Sequence, residues 1–177
     1  MQAFDHNLSS IIQSLKSSYG IEFFNSLTLQ LHQLINADYT FIARIDKARY
    51  VSQTISLVAK GQIGDNFEYS LSDTPCADVS DDSVCIYPER ICQLYPSDQL
   101  LIDMKIEGYL GTPLHDSNGD VIGLVVALYE NIIINSEDVV ALFDLFSGRI
   151  SAEMEREDKE KQLTELNLSL EDKVNER

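Results

Sequence analysis

Cys76, Cys85 and Cys92 share one stretch of the chain with Tyr69, Tyr87, Tyr95 and Tyr109 and a crowd of carboxylates. A cysteine does redox chemistry as its thiolate. Asp73, Asp78, Asp81 and Asp82 oppose that form here, because neighbouring negative charge raises a thiol's pKa. The cysteine spacing fits no zinc pattern, and no nearby histidine completes a ligand set, so no metal is expected. Each tyrosine joins a large apolar ring to one hydroxyl, which suits the wall of a small-molecule pocket. The candidate ligand-binding set is therefore Tyr69, Asp73, Cys76, Cys85, Tyr87, Cys92, Tyr95, Met104 and Tyr109. With Glu89, Asp98 and Asp103 close by, the expected ligand is neutral or cationic rather than a phosphate. His32 lies beside the apolar stripe of its helix and His115 begins a hairpin turn, and both are expected at the surface or an edge. No pattern assigns a catalytic residue, and this chain is not expected to be an enzyme.

The elements that must position these residues follow from periodicity. Leu8, Ile11, Ile12 and Leu15 recur at helix spacing until Ser17-Ser18-Tyr19-Gly20 interrupts them. Phe23, Phe24, Leu27, Leu31, Leu34 and Ile35 mark a second helix. Strands are expected from Tyr39 to Ile45, Tyr50 to Lys60, Asn66 to Leu71, Glu107 to Leu114 and Val121 to Tyr129, the last two joined through Asn118-Gly119, a strong hairpin signal. Between Ser72 and Asp98 the chain reads as irregular, with Pro75, Pro88 and Pro96, and a short helix follows over Leu100 to Met104. Asn135 or Ser136 should cap a long final helix, whose first turn carries Glu137 and Asp138. Hairpins dominate, so the fold class is α+β: an antiparallel sheet with the N- and C-terminal helices on one face and a loop-covered pocket on the other. The long irregular segment is where a site would form.

A length of 177 residues suits one domain with a helical extension. The expected division is an N-terminal helix over 1–19, a domain over 20–150 and a coiled-coil linker over 151–177. The net charge of -16 excludes nucleic acid and anionic membrane as direct partners, because both need clustered Lys and Arg. An odd cysteine count without a pairing motif fits a reducing cytoplasm. The N-terminus is no signal peptide, and no apolar run is long enough to span a bilayer.

Several phrases in the centre resemble a bacterial GAF domain. Tyr69-Ser70-Leu71-Ser72-Asp73-Thr74-Pro75-Cys76 resembles a "Y-x-L-x-x-T-P-C" segment, and Cys85-Ile86-Tyr87-Pro88 and Leu94-Tyr95-Pro96-Ser97-Asp98 resemble the pieces that follow it. Glu107-Gly108-Tyr109-Leu110-Gly111-Thr112-Pro113-Leu114 resembles "E-S-Y-x-G-x-P-L", and Asn118 to Leu124 resembles the closing hairpin. The resemblance covers residues 20 to 150. It implies a ligand pocket roofed by the irregular segment and a regulatory role in a signalling protein. Some GAF domains carry a linear tetrapyrrole on a cysteine followed by His, but here Ala77, Ile86 and Gln93 follow the cysteines. The dispersed cyclic-nucleotide signature has no counterpart, and no cofactor is named. A cysteine-based redox sensor and a methionine sulfoxide reductase are the enzyme-like alternatives. A ligand-free dimerisation module is the other, and a pocket filled by the chain's own Tyr and Leu side chains would favour it.

The tail phrase Leu170-Glu171-Asp172-Lys173-Val174-Asn175-Glu176-Arg177 resembles linkers that precede histidine kinase or diguanylate cyclase domains. Leu163, Leu166 and Leu170 give a seam with three-then-four spacing. Upstream, Leu142, Leu145, Phe146 and Ile150 are richly apolar, and Leu142, Phe146 and Ile150 are expected to continue the dimer seam. Glu155 with Lys159 and Glu157 with Lys161 are placed to pair along an exposed helix. The pattern is uncapped at Asn175-Glu176-Arg177, which leads us to expect a C-terminal output domain beyond this chain. The expected assembly is a parallel homodimer.

Overall fold

The computed structural model describes residues 8–13, 16 and 18–176. Residues 8–13 are helical, and Leu15 and Arg177 of the patterns above lie outside the described residues. Helix α1 (Gly20–Ile35) buries Phe23, Phe24, Leu27, Leu31 and Ile35 on one side and ends where Asn36 takes a left-handed backbone, a conformation asparagine tolerates well. Strands β1 (Tyr39–Asp46), β2 (Val51–Ala59), β3 (Gln62–Ile63) and β4 (Glu68–Ser70) follow. Helix α2 (Pro75–Ser80), strand β5 (Cys85–Tyr87), α3 (Ile91–Leu94) and α4 (Gln99–Asp103) lie in and just after the segment read as irregular. Strands β6 (Gly108–His115) and β7 (Val121–Tyr129) lead into α5 (Ser136–Asn175).

The strands form one antiparallel sheet in the order β3-β2-β1-β7-β6-β5, with β4 also paired to β2. Asn118-Gly119 does lie in the β6–β7 turn, but Asp116 organises it. Its Oδ1 accepts from the Asn118 and Asp120 N–H groups, each at 2.9 Å.

Alternation along the strands sends neighbouring side chains into two separate cores. Ile42, Leu110, Leu114, Val125, Ala127 and Tyr129 pack against α1 and α5, while Phe41, Ala43, Tyr109, Leu124, Val126 and Leu128 pack under the 71–106 segment. Helices on one face and a loop cover on the other are as the sequence implies.

Two expectations fail here, and a third holds in part: Asn135 takes the N-cap position of α5 but without a capping side-chain bond. His32 is buried, not at the surface: its Nε2 accepts from the Gly61 N–H at 3.0 Å, which leaves Nδ1 to donate to Thr40 Oγ1 at 2.9 Å. Leu142, Phe146 and Ile150 belong to the helix-side core of their own domain, so they are not free for a dimer seam. The amphipathic period alone cannot say whether an apolar face meets its own sheet or another chain.

Candidate functional site

The loop-covered face is a closed layer of side chains. Tyr109 on β6 and Cys76 on α2 are both buried, 1% and 4% exposed. Cys76 Sγ lies 3.0 Å from the Tyr109 hydroxyl, and the Tyr69 hydroxyl donates to it at 3.2 Å. Tyr69 is half-buried as a whole, but its hydroxyl end is enclosed. Gly111 makes room for this arrangement. A Cβ there would stand 2.8 Å from the Tyr109 hydroxyl and 2.8 Å from Val79 Cγ2, so the Tyr109 ring turns along its own strand over the glycine.

A second polar chain ties the cover together. The Tyr87 and Tyr95 hydroxyls are 3.0 Å apart, and Tyr95 donates to Asp78 Oδ2 at 2.5 Å. The Tyr87 ring also lies 6.3 Å from that of Tyr109, so β5, α2 and the turn after α3 are bound to the strand beneath them. Asp78, which reads as a solvated carboxylate in the sequence, closes this chain. On the far side His115 Nε2 is 2.5 Å from Asp82 Oδ1, fastening the end of α2 to β6.

The remaining candidates divide. Cys85 is buried on β5, and Cys92 donates to the Ile106 carbonyl at 3.2 Å. Met104 packs into the same layer. Asp73 does not join it: the residue is exposed at a turn with φ of 59°, and its backbone role there explains its place in the motif. All three thiols are held neutral. Burial pushes Cys76 up to about 11, against the lowering effect of its two tyrosine partners. Burial also raises Cys85, with Asp78 adding to it, and raises Cys92, with Asp98 and Glu107 adding to it. Among the described residues no group of His, Cys, Asp and Glu is placed to hold a metal ion.

A second cluster lies where α5 leaves the domain, and sequence reading missed it. Glu153 is 2% exposed and faces the start of α1, where the Gly20 N–H donates to its Oε1 at 2.7 Å. Arg156 donates to the same oxygen at 2.8 and 3.0 Å, and Arg149 reaches Oε2 at 3.3 Å. Burial alone would raise the Glu153 pKa, but these bonds outweigh it and hold the carboxylate below its usual range. Arg149 also donates to the Ser18 carbonyl at 3.2 Å and lies 4.2 Å over the Phe23 ring. One turn on, Arg44 of β1 binds Glu157 at 3.0 Å and Asp158 at 2.8 Å. Glu155 accepts from Ser117 at the tip of the β6–β7 turn. Glu157 thus faces Arg44, where the sequence suggested Lys161. Its only sequence signal was the helical period that puts Glu153 on the same side as Ile150 and Met154.

This architecture has counterparts among solved structures. The chain is similar to the GAF domain of a phosphoenolpyruvate-protein phosphotransferase from Acinetobacter, at 15% identity and a TM-score of 0.70, over 89% of this chain and 96% of that one. The chromophore-binding domain of Stigmatella aurantiaca phytochrome P1 matches at 14% identity and a TM-score of 0.65, over 85% of this chain and 59% of that one. A bacteriophytochrome from R. palustris matches at 11% identity and a TM-score of 0.71, over 91% of this chain and 38% of that one. The fold is a GAF fold. No protein-family model and no curated protein matches the sequence. Among the described residues, no helix is long and apolar enough to cross a membrane.

Proposed function

We propose that the chain is a regulatory module of a bacterial signal-transduction protein, working in the cytoplasm. It dimerises and passes the conformational state of its GAF-fold domain along α5 to a C-terminal catalytic domain of kinase or diguanylate cyclase type. One observation carries this reading: α5 is a single helix of 40 residues with two environments. Val139, Phe143, Ile150 and Met154 are part of the domain core, while Leu163, Leu166 and Leu170 are each more than half exposed. A rigid rod rooted in the core conveys any displacement of that core to its far end, about 30 Å beyond Met154 at the helical rise per residue.

The input in this reading is a small molecule admitted under the 71–106 segment. One phytochrome neighbour is a chromophore-binding domain, whereas the cysteines of this chain are held neutral and Cys76 and Cys85 are buried. Tyr109 and Cys76 occupy the layer, so a ligand must favour a second arrangement in which the cover has moved, and its effect is limited to its differential affinity for the two. The filled layer is also the specific observation that favours the second reading, a GAF fold retained as a ligand-free dimerisation module. Native mass spectrometry of the purified chain separates them. A dimer carrying a reproducible added mass supports the sensor. A bare dimer supports the ligand-free module. A monomer refutes both.

A further inference from the structure

With Leu142, Phe146 and Ile150 committed to the domain core, a dimer must use another face of α5. At 100° per residue, Ala141, Leu145, Gly148 and Ala152 stand on the side turned away from the sheet, and all four are exposed. The same stripe runs on through Arg156 and Lys159 to Leu163, Leu166 and Leu170, keeping spacings of three and four throughout, over about 45 Å. We infer that this outward stripe is the dimer seam and that its occupant is a second copy of the chain, aligned in parallel. The inference rests on the dimeric reading above and assigns its surface.

Three features fit a second copy. Leu145 is 55% exposed and stands between two apolar hollows, one lined with Ile12 and Phe146 and the other with Leu8 and Leu142. That is the knob-and-hole surface that a matching helix fills. Around Gly148 nothing lies within 4 Å of where a Cβ would sit, so the domain itself gives no reason for a glycine there. A glycine facing outward between Leu145 and Ala152 lets another backbone approach closely. The charges agree as well. Arg156 and Lys159 interrupt the stripe, but carboxylates of their own helix balance them, Glu160 at 2.7 Å from Arg156 and Glu155 at 3.8 Å from Lys159, where a parallel copy brings like residues together. Gln162, Asn167 and Ser169, which border the leucine part of the seam, carry no charge, and this spares a chain of net charge -16 from repulsion there.

The test is sedimentation velocity over a concentration series with Gly148→Glu, Leu166→Glu and, on the opposite side of the helix, Lys161→Glu. Circular dichroism melts check the fold, which Gly148→Glu should leave intact or firmer, since glycine is a poor helix former. The expected result is a dimeric wild type, with the first two variants raising the dissociation constant by roughly 100-fold or more as like charges meet across the dyad. Lys161→Glu should dimerise like wild type. A dimeric wild type with Gly148→Glu still fully dimeric, whatever Leu166→Glu does, overturns the assigned seam and leaves dimerisation on another face. A monomeric wild type overturns the seam together with the dimeric reading.

Discussion

Replacing Glu153 by Ala tests whether the joint between α1 and α5 holds the domain together. The substitution removes an enclosed carboxylate that accepts the Gly20 N–H at 2.7 Å. A hydrogen bond to a charged group contributes about 1.5–3 kcal/mol, and the enclosed Gly20 bond belongs in that range. The Arg149 and Arg156 side chains are 38% and 45% exposed, so water stands in for their lost partner. Each such pair adds only about 0.3–0.5 kcal/mol. The sum is about 2–4 kcal/mol, which for a chain of this length lowers Tm by about 4–16 °C. The pH dependence has a definite sign. The Glu153 pKa is lowered in the fold, so its contribution is complete above the unfolded carboxylate value near 4.5 and is lost as pH falls through the folded value. Thermal melts of wild type and Glu153→Ala should therefore differ fully at pH 7 and converge in strong acid. A Tm within about 2 °C of wild type at pH 7 refutes the reasoning. So does a gap that stays constant as Glu153 is protonated.

Three further outcomes follow from the same geometry. With a thiol reagent at neutral pH, Cys92 should react first and Cys76 only on unfolding, since Cys76 is buried with its pKa pushed up to about 11; rapid native labelling of Cys76 would contradict the closed layer. Gly111→Ala should cost about 1–3 kcal/mol in a urea titration, because its Cβ would stand 2.8 Å from both Val79 and Tyr109, and an unchanged midpoint would mean that the layer yields freely. Burial lowers the His32 pKa, partly offset by Asp38, so the neutral ring stabilises the fold above the unfolded value near 6.5 and this is lost as pH falls below it. Down to the folded pKa the loss is about 1.4 kcal/mol per pH unit, and a His32→Gln variant showing the same slope would assign the effect elsewhere.

The long central strands were legible in the sequence because both faces of the sheet are buried, so each reads as a short, nearly continuous apolar run: Tyr39 to Ile45 became Tyr39–Asp46, and Val121 to Tyr129 matched in full. The segment from Ser72 to Asp98 was not. Its helices α2 and α3 have six and four residues, too short for a period to emerge, and β5 has three. Such elements owe their existence to tertiary packing rather than to local propensity. Of the candidate set, the tyrosines and cysteines did converge on one layer, since residues with apolar bodies and weak polar tips tolerate burial. Asp73 did not, because a carboxylate with no partner stays in water. The joint at Glu153 was invisible for the opposite reason. A glutamate in a helix rich in charge reads as solvated, and only the arrival of the α1 N-terminus gives it a buried partner.

The sheet makes communication between the two faces a matter of geometry. On β6, Tyr109 and Gly111 face the cover while Leu110 and Leu114 face the helix-side core. On β7, Leu124, Val126 and Leu128 face the cover, and Val125, Ala127 and Tyr129 face the helices. A displacement of Tyr109 large enough to admit a ligand must swing its ring off Gly111, and close packing leaves no slack to absorb that within the layer. The strand moves instead, carrying Leu110 and Leu114 against α5. Three ties then decide the response of the helix: Glu153 to Gly20, Arg44 to Glu157 and Asp158, and Ser117 to Glu155. They reach α5 from α1, β1 and the β6–β7 turn, and they sit in the last two turns before the helix runs free. A shift in the sheet therefore changes the direction in which α5 leaves the domain more readily than it bends the helix itself. The ion pairs at Arg44 are partly open to water and are screened by salt, whereas the enclosed Gly20 bond is not, so the change of direction costs less at Arg44 than at Glu153.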